Sequence, residues 1–385
     1  MKDLHAELEQ RKQHGLYRSR RIMQSPQGAE ITIDGQRVLN FCSNDYLGLA
    51  NHADIKKAFI KCIDTYGSGS GAAHLVNGHS AAHHALEEEL ADFTGYPRAL
   101  LFSTGYMANL GLAQALCGKG DAILEDRLNH ASLLDAGLLS GARLQRYHHA
   151  DIADLENKLS ARQSGEKLVM TDGVFSMDGD IAPINELVTI CQQQDTRLLV
   201  DDARGFGGLG EQGRGSISHC AIPDSSKPIL MATLGKAVGT AGAFVAGTED
   251  DIETLIQQAR TYVYTTASPP AVAEATRASL KIIQQDDWRR DHLQSLISQF
   301  KTAAAELGLP LMDSMTPIQP VIIGDSQQAL DVSQQLFAQG IMITAIRPPT
   351  VAKGTARLRI TLSAAHTKQQ IDRLIVALSQ ITAKA

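Results

Sequence analysis

The sequence predicts an α/β fold, with a large domain on a mostly parallel sheet and a smaller α+β unit toward the C-terminus. Three observations predict it. Short apolar runs at 99–102, 121–125, 167–171, 197–201 and 229–231 each break into a polar or glycine-rich turn followed by a helical pattern. The residues with chemistry to offer stand just past these runs, where open α/β sheets bind ligands. After the charged stretch 286–291, shorter strands and helices take over. The expected division is an N-terminal segment of helix and hairpin over 1–50, a large domain over 51–285 and a small domain over 286–385.

Taken in order, residues 1–25 read as a helix that turns basic at Arg18, Arg20 and Arg21. That end is either a solvated face or a clamp for the anionic end of a substrate. Residues 30–41 alternate apolar and polar around Asp34-Gly35, a hairpin signal. A helix is expected from about Ala53. Residues 66–78 hold too many small residues for a stable helix and read as a loop that can pack closely on a ligand or a partner chain. From Ser80 a helix returns, with Leu86, Leu90 and Phe93 on one face. His79 and His83 stand at i, i+4, but no third ligand or HExxH pattern accompanies them, so no metal site is expected.

The run 99–102 leads into Ser103-Thr104-Gly105-Tyr106 and an apolar helix over 110–116. A strand, a glycine turn and a helix start make an anion site suited to phosphate. The run 121–125 leads to His130, a ring that can stack on a flat cofactor or serve as a satisfied structural histidine. Ser176 follows the run 167–171. Gly205 to Gly210 matches GxGxxG, but more glycine follows instead of a helix, so nicotinamide binding is not expected. In the C-terminal unit, strands are expected at 318–323 and 342–346, a helix at 329–339 and an edge strand at 357–361. Arg357 and Arg359 alternate and share a face. There they suit either carboxylate binding or surface ion pairing.

The chain centres on Lys236, past the apolar run 229–231 and among Thr233, Gly235, Gly239 and Gly242. Desolvation there would disfavour the ammonium form and free a nucleophilic amine. The glycines are expected to let a bulky ligand approach the backbone. Asp201 ends the neighbouring run. A Schiff-base lysine with an aspartate for a pyridinium nitrogen is the arrangement pyridoxal phosphate (PLP) requires.

Composition narrows the function classes. The 385 residues are 43% hydrophobic and 20% charged, with a net charge of −6. This is ordinary for a soluble globular protein and argues against a general nucleic-acid binder. There is no apolar run long enough to span a membrane, and the polar start is not a secretory signal. Cysteines 42, 62, 117, 191 and 220 form no CxxC, which points to reduced thiols in the cytoplasm.

Eight segments together resemble the α-oxoamine synthases, PLP-dependent transferases of the aspartate aminotransferase-like fold. They are SNDYLGL (43–49), STGYMAN (103–109), DRLNHASLLD (126–135), DGVFSMDGDIAP (172–183), VDDARGFG (200–207), TLGKAVG (233–239), YTTASPPA (264–271) and TARLRITLSAAH (355–366). Segments 318–325 and 345–359 are most similar to the family member that joins L-alanine to a pimeloyl thioester, carried on acyl carrier protein or coenzyme A. A sister enzyme using glycine and a short acyl-coenzyme A, and a non-catalytic family member, are the alternatives.

The resemblance implies roles. Lys236 would carry the cofactor, Asp201 would hold the pyridine nitrogen protonated and His130 would stack on the ring. Gly105, Tyr106 and Thr233 would bind the phosphate, with Thr265 or Thr266 arriving from the second subunit of a homodimer. Ser176 would meet the ring hydroxyl. Arg359 would grip the amino-acid carboxylate, Arg18 the far end of the acyl chain, Thr350 would line that pocket, and Asn44 would touch cofactor or substrate. Residue 204 departs from the family pattern DDAHG: Arg204 stands where a histidine is expected. It either donates to the ring oxygen as a fixed cation or swings away and leaves Ser176 alone. Asp172, where glutamate is more usual, and Ala72-Ala73 in the glycine loop are lesser departures.

Overall fold

The computed structural model describes residues 2–13, 16–161 and 165–382. At its N-terminal end, α1 (Leu4–Gln13) has no buried residue. The helix expected over 1–25 stops there. Beyond it the chain runs extended, because Gln24 donates to the carbonyl of Thr32 and Asp34 to that of Ile22, drawing this segment along the hairpin. The hairpin is β1 (Glu30–Ile33) and β2 (Gln36–Asn40), turned through Asp34 at φ 51° and Gly35 at φ 79°, the positive values a two-residue turn needs.

Seven strands form the main sheet: β3 (Arg98–Phe102), β4 (Ala122–Asp126), β5 (Arg143–Tyr147), β6 (Lys167–Asp172), β7 (Arg197–Asp201), β8 (Ile229–Thr233) and β9 (Ala243–Gly247). Their spatial order is β3-β9-β8-β7-β6-β4-β5, and only β9 runs against the rest. Successive side chains divide between two cores. Leu124, Val169, Val200, Leu230 and Phe244 enter one; Ile123, Met170, Leu199, Met231 and Val245 enter the other. Burial on both faces is why these strands read as unbroken apolar runs. Helices α2 (Ala53–Tyr66), α3 (Ala81–Thr94), α4 (Gly105–Leu116) and α5 (Ala131–Leu139) lie on this framework. The loop expected at 66–78 contains a short π-helical turn over His74–Gly78. A Cβ on Gly78 would meet the Ala72 carbonyl oxygen at 2.1 Å, so the turn closes there only on a glycine.

Toward the C-terminus, β10 (Ile318–Gly324), β11 (Ile341–Met342), β12 (Thr344–Ile346) and β13 (Ala356–Thr361) form small sheets. The single strand expected at 342–346 is two. One pairs with β2 of the N-terminal hairpin, and the other with β13. For that reason β13 is the central strand of the order β10-β13-β12, not an edge. The glycines of the GxGxxG match wrap the buried Asp202, whose Oδ2 accepts the Ser216 N–H at 2.7 Å, and no helix opens there. No helix among the described residues is long and apolar enough to cross a membrane.

Candidate active site

The carboxyl ends of β6, β7 and β8, the segment after β4 and the first turn of α4 meet around a cavity of about 200 Å³. Gly105, Tyr106, His130, Ser176, Asp201, Arg204, Thr233 and Lys236 all line it. Thr265 and Thr266 do not. With His74 and Ser103 they border a separate small hollow.

Lys236 sits in the turn between β8 and β9, closed by the Leu234 N–H on the Gly242 carbonyl and the Gly239 N–H on the carbonyl of Lys236 itself. Burial lowers its amine to about 7, with the nearby Arg204 charge adding to the effect against the opposing pull of Asp201 and Asp172. The expectation that its glycines admit a ligand is corrected. A Cβ on Gly239, at φ +73°, would lie 2.6 Å from the backbone of Leu49 and Ala50, and one on Gly242 would lie 3.2 Å from the Phe102 carbonyl. These two glycines make room for the chain itself.

Asp201 is 5% exposed and is held from two sides. Its Oδ1 accepts the Ala203 N–H at 3.0 Å, and its Oδ2 accepts Asn109 Nδ2 at 2.8 Å. Asn109 also donates to Ser132 Oγ at 2.9 Å, which lies 2.8 Å from His130 Nδ1. Burial lowers the pKa of His130, so its ring is neutral at physiological pH. Asp172, the register partner of Asp201 on β6, accepts the His130 N–H at 3.0 Å. Burial first, then the Asp201 carboxylate, raise the Asp172 pKa well above the ordinary range. One of the two acids therefore holds a proton.

Arg204 turns toward Asn44 Oδ1 (3.0 Å) and Tyr46 Oη (2.7 Å) while still lining the cavity. Arg359, 7% exposed, donates to the Ser176 carbonyl at 2.7 Å and to the same Asn44 oxygen at 3.3 Å. Arg357 pairs with Asp178, so both arginines of β13 face the 172–180 segment as their alternation predicts. A second cavity, of about 710 Å³, shares His130 and Ser176 with the first and is lined further out by Leu134, Phe175, Thr350 and Val351. Arg18 is exposed and lines neither.

Sequence reasoning missed several supports. Asn109 lies one helical turn after Gly105, and that i, i+4 spacing was its only signal. His149 bridges Asp126 (3.0 Å) and Asp180 (2.9 Å), locking the segment that carries His130 to the one that carries Ser176. Nothing in a lone histidine near position 150 announces this. The premise that no third ligand accompanies His79 and His83 is also corrected: His74 joins them, and His84 and Glu87 flank His79.

A profile of the class I and II aminotransferases matches residues 36–378. The chain is 62% identical over 381 residues to an 8-amino-7-oxononanoate synthase of Thioalkalivibrio sulfidiphilus, covering 99% of this chain and 97% of that one. The chain belongs to the 8-amino-7-oxononanoate synthase family, within the class I and II aminotransferases. It also resembles the solved structure of such a synthase from Francisella tularensis, with a TM-score of 0.79, 34% identity and coverage of 90% of this chain and 98% of that one. A serine palmitoyltransferase of S. paucimobilis solved with PLP bound matches with a TM-score of 0.93, 29% identity and coverage of 99% and 97%.

As a member of this synthase family the protein is a PLP-dependent enzyme, and its cavity suits that cofactor. A buried carboxylate fixed by two donors faces in beside a lysine amine poised near neutrality. The start of α4, capped by Thr104 Oγ1 on the Met107 N–H at 3.1 Å, presents backbone donors to an anionic group.

Proposed function

We propose that this enzyme joins L-alanine to a pimeloyl thioester on acyl carrier protein or coenzyme A. The products are 8-amino-7-oxononanoate, carbon dioxide and the free carrier thiol. The observation that carries this reading is the continuity of the two cavities through His130 and Ser176. The inner one suits a cofactor with a small amino acid. The outer one, walled partly by Leu134, Phe175 and Val351, suits a chain of methylenes.

PLP, when bound, supplies the electron sink that stabilises negative charge at the amino-acid Cα. In our reading Lys236 holds the cofactor and, once its amine is free, takes the Cα proton. Its lowered pKa leaves much of that amine unprotonated at neutral pH. Asp201, oriented by Asn109, keeps the ring nitrogen protonated. His130 covers the ring as a neutral group, and Ser176 meets the ring hydroxyl. Gly105, Tyr106 and Thr233 hold the phosphate. Arg359 and Asn44 receive the alanine carboxylate, and Thr350 borders the acyl chain.

We further propose a homodimer that shares its sites. Phe59, Ile60, Ile63 and Tyr66 form an exposed apolar row along α2, and Leu75, Val76 and Tyr264 add to it nearby in sequence or at the Thr265 loop. Thr265 and Thr266 lie outside their own chain's cofactor cavity, as a contribution to the second subunit's phosphate requires. A cytoplasmic location accords with the unpaired cysteines.

The deciding experiment measures thiol release with L-alanine or glycine against pimeloyl- or acetyl-coenzyme A. Turnover confined to alanine with the pimeloyl thioester supports the proposal. Faster turnover with glycine and the acetyl thioester overturns it in favour of the sister activity.

A further inference from the structure

Between His74 and Glu87 the chain gathers imidazoles and a carboxylate that no step above uses. His79, His84 and Glu87 each offer a ligand atom, all within 4.8 Å of one another, as do His74, His79 and His83. Hydrogen bonding separates the two sets. His83 Nδ1 accepts the Ser80 N–H at 3.1 Å, and its Nε2 lies 2.8 Å from the Ser268 carbonyl oxygen. Both its nitrogens are spent on holding the start of α3. His74 Nδ1 faces His79 Nδ1 at 3.0 Å, and its ring stacks on Tyr262.

That contact leaves His79 Nε2 facing Glu87 Oε2 at 3.8 Å. The other oxygen of Glu87 accepts the Leu101 N–H at 2.9 Å. His84, on the same face of α3 three residues before Glu87, completes the set. The three border a cavity of about 290 Å³. Arg98, also on its wall, directs its charge to Glu249 and Glu253 at 3.2 and 3.4 Å.

We propose that His79, His84 and Glu87 bind a divalent transition cation of the Zn²⁺ class, with His74 as the positioning residue behind His79. Two imidazoles and a carboxylate are a recurrent Zn²⁺ ligand set, and three protein ligands leave a fourth position open toward the cavity. A hydrogen bond to the far ring nitrogen, as His74 makes to His79, is the usual support for such a ligand. Bonds of about 2.0–2.1 Å give a tetrahedral edge of about 3.3 Å. The ligand atoms must therefore draw together, and the mobile member is His84, whose side chain is 66% exposed against 27% for His79 and 13% for Glu87. Burial raises the carboxyl of Glu87 to about 7 and lowers the imidazole of His79, and a bound cation relieves the first cost while using the neutral ring. The ion would tie α3 to β3 through Leu101 and, through His74, to the hollow holding Thr265 and Thr266. It is a structural site, separate from the chemistry at Lys236.

The test is calorimetric titration of chelator-treated, PLP-loaded protein with ZnCl₂, together with its melting temperature. His84→Ala removes an exposed side chain, and Glu87→Gln keeps an acceptor for Leu101, so both variants should fold. One ion per chain is expected, with affinity at least about 10-fold weaker in each variant and a Zn²⁺-induced rise in melting temperature that His84→Ala lacks. No saturable binding, or an affinity that either substitution leaves unchanged, overturns the proposal.

Discussion

Asn109 Nδ2 donates to Asp201 Oδ2 at 2.8 Å, joining the first turns of α4 to the end of β7. The same amide reaches Ser132, and through it His130, so one buried side chain aligns the groups proposed to lie at the ring nitrogen and over the ring face. A hydrogen bond to a charged group contributes roughly 1.5–3 kcal/mol. Asn109→Ala is therefore expected to lower kcat/KM by roughly 10- to 100-fold while the protein stays folded. Steady-state kinetics with the purified variant checks this; wild-type efficiency would remove Asn109 from the site.

Arg204 is expected to tune Lys236. After burial, its charge is the leading cause that lowers the lysine amine to about 7. A neutral side chain there favours the ammonium form, so the lysine pKa rises. Arg204→Gln should move the acid limb of the kcat–pH profile to higher pH, and Arg204→Lys should restore much of it. An acid limb that stays in place in Arg204→Gln would refute the coupling.

The His149 clamp gives stability a defined pH dependence. Burial alone would lower its pKa, but hydrogen bonds to Asp126 and Asp180 outweigh that and raise it to about 10. A folded pKa above the unfolded value of about 6.5 means that the contribution is full below about pH 6.5 and is lost as pH rises to about 10. His149→Gln should cost about 2 kcal/mol at pH 6, allowing for partial exposure, and progressively less toward pH 10. Denaturant midpoints at several pH values measure it; a pH-independent difference would mean that the imidazolium is not the source.

Gly239 has no room for a side chain. At φ +73°, with a Cβ 2.6 Å from the Leu49–Ala50 backbone, Gly239→Ala is expected to cost about 2 kcal/mol or more. It should displace the Lys236 turn and weaken PLP retention. Thermal melting and cofactor absorbance after gel filtration report both effects, and unchanged values for both would contradict the close approach.

The elements that sequence reading found are those whose cause is local. The runs ending near Phe102, Asp126, Asp172, Asp201 and Thr233 are apolar because both faces of the sheet are covered, and that pattern is written along the chain. Lys236, Asp201, His130, Ser176 and Thr233 were legible because each follows such a strand, and the eight matched segments supplied their expected parts. The same reading took the Gly239 and Gly242 space for a ligand's. Only the fold shows that the backbone at Leu49–Ala50 and Phe102 occupies it.

What the sequence by itself determined is the order of strand, turn and helix and the placing of its reactive side chains at strand ends. Both follow from periodicity and from the few residue types that can do this chemistry. The tertiary structure alone decided which distant residues meet. Asn109 reaches Asp201 across 92 positions, Arg204 reaches Asn44 across 160, and β13 becomes central because β12 returns to its free side. It also decided that His79, His84 and Glu87 face one another beside His74. Hydrogen bonds and desolvation act through space over a few ångströms, and no local pattern encodes a neighbour that the chain reaches only by folding back.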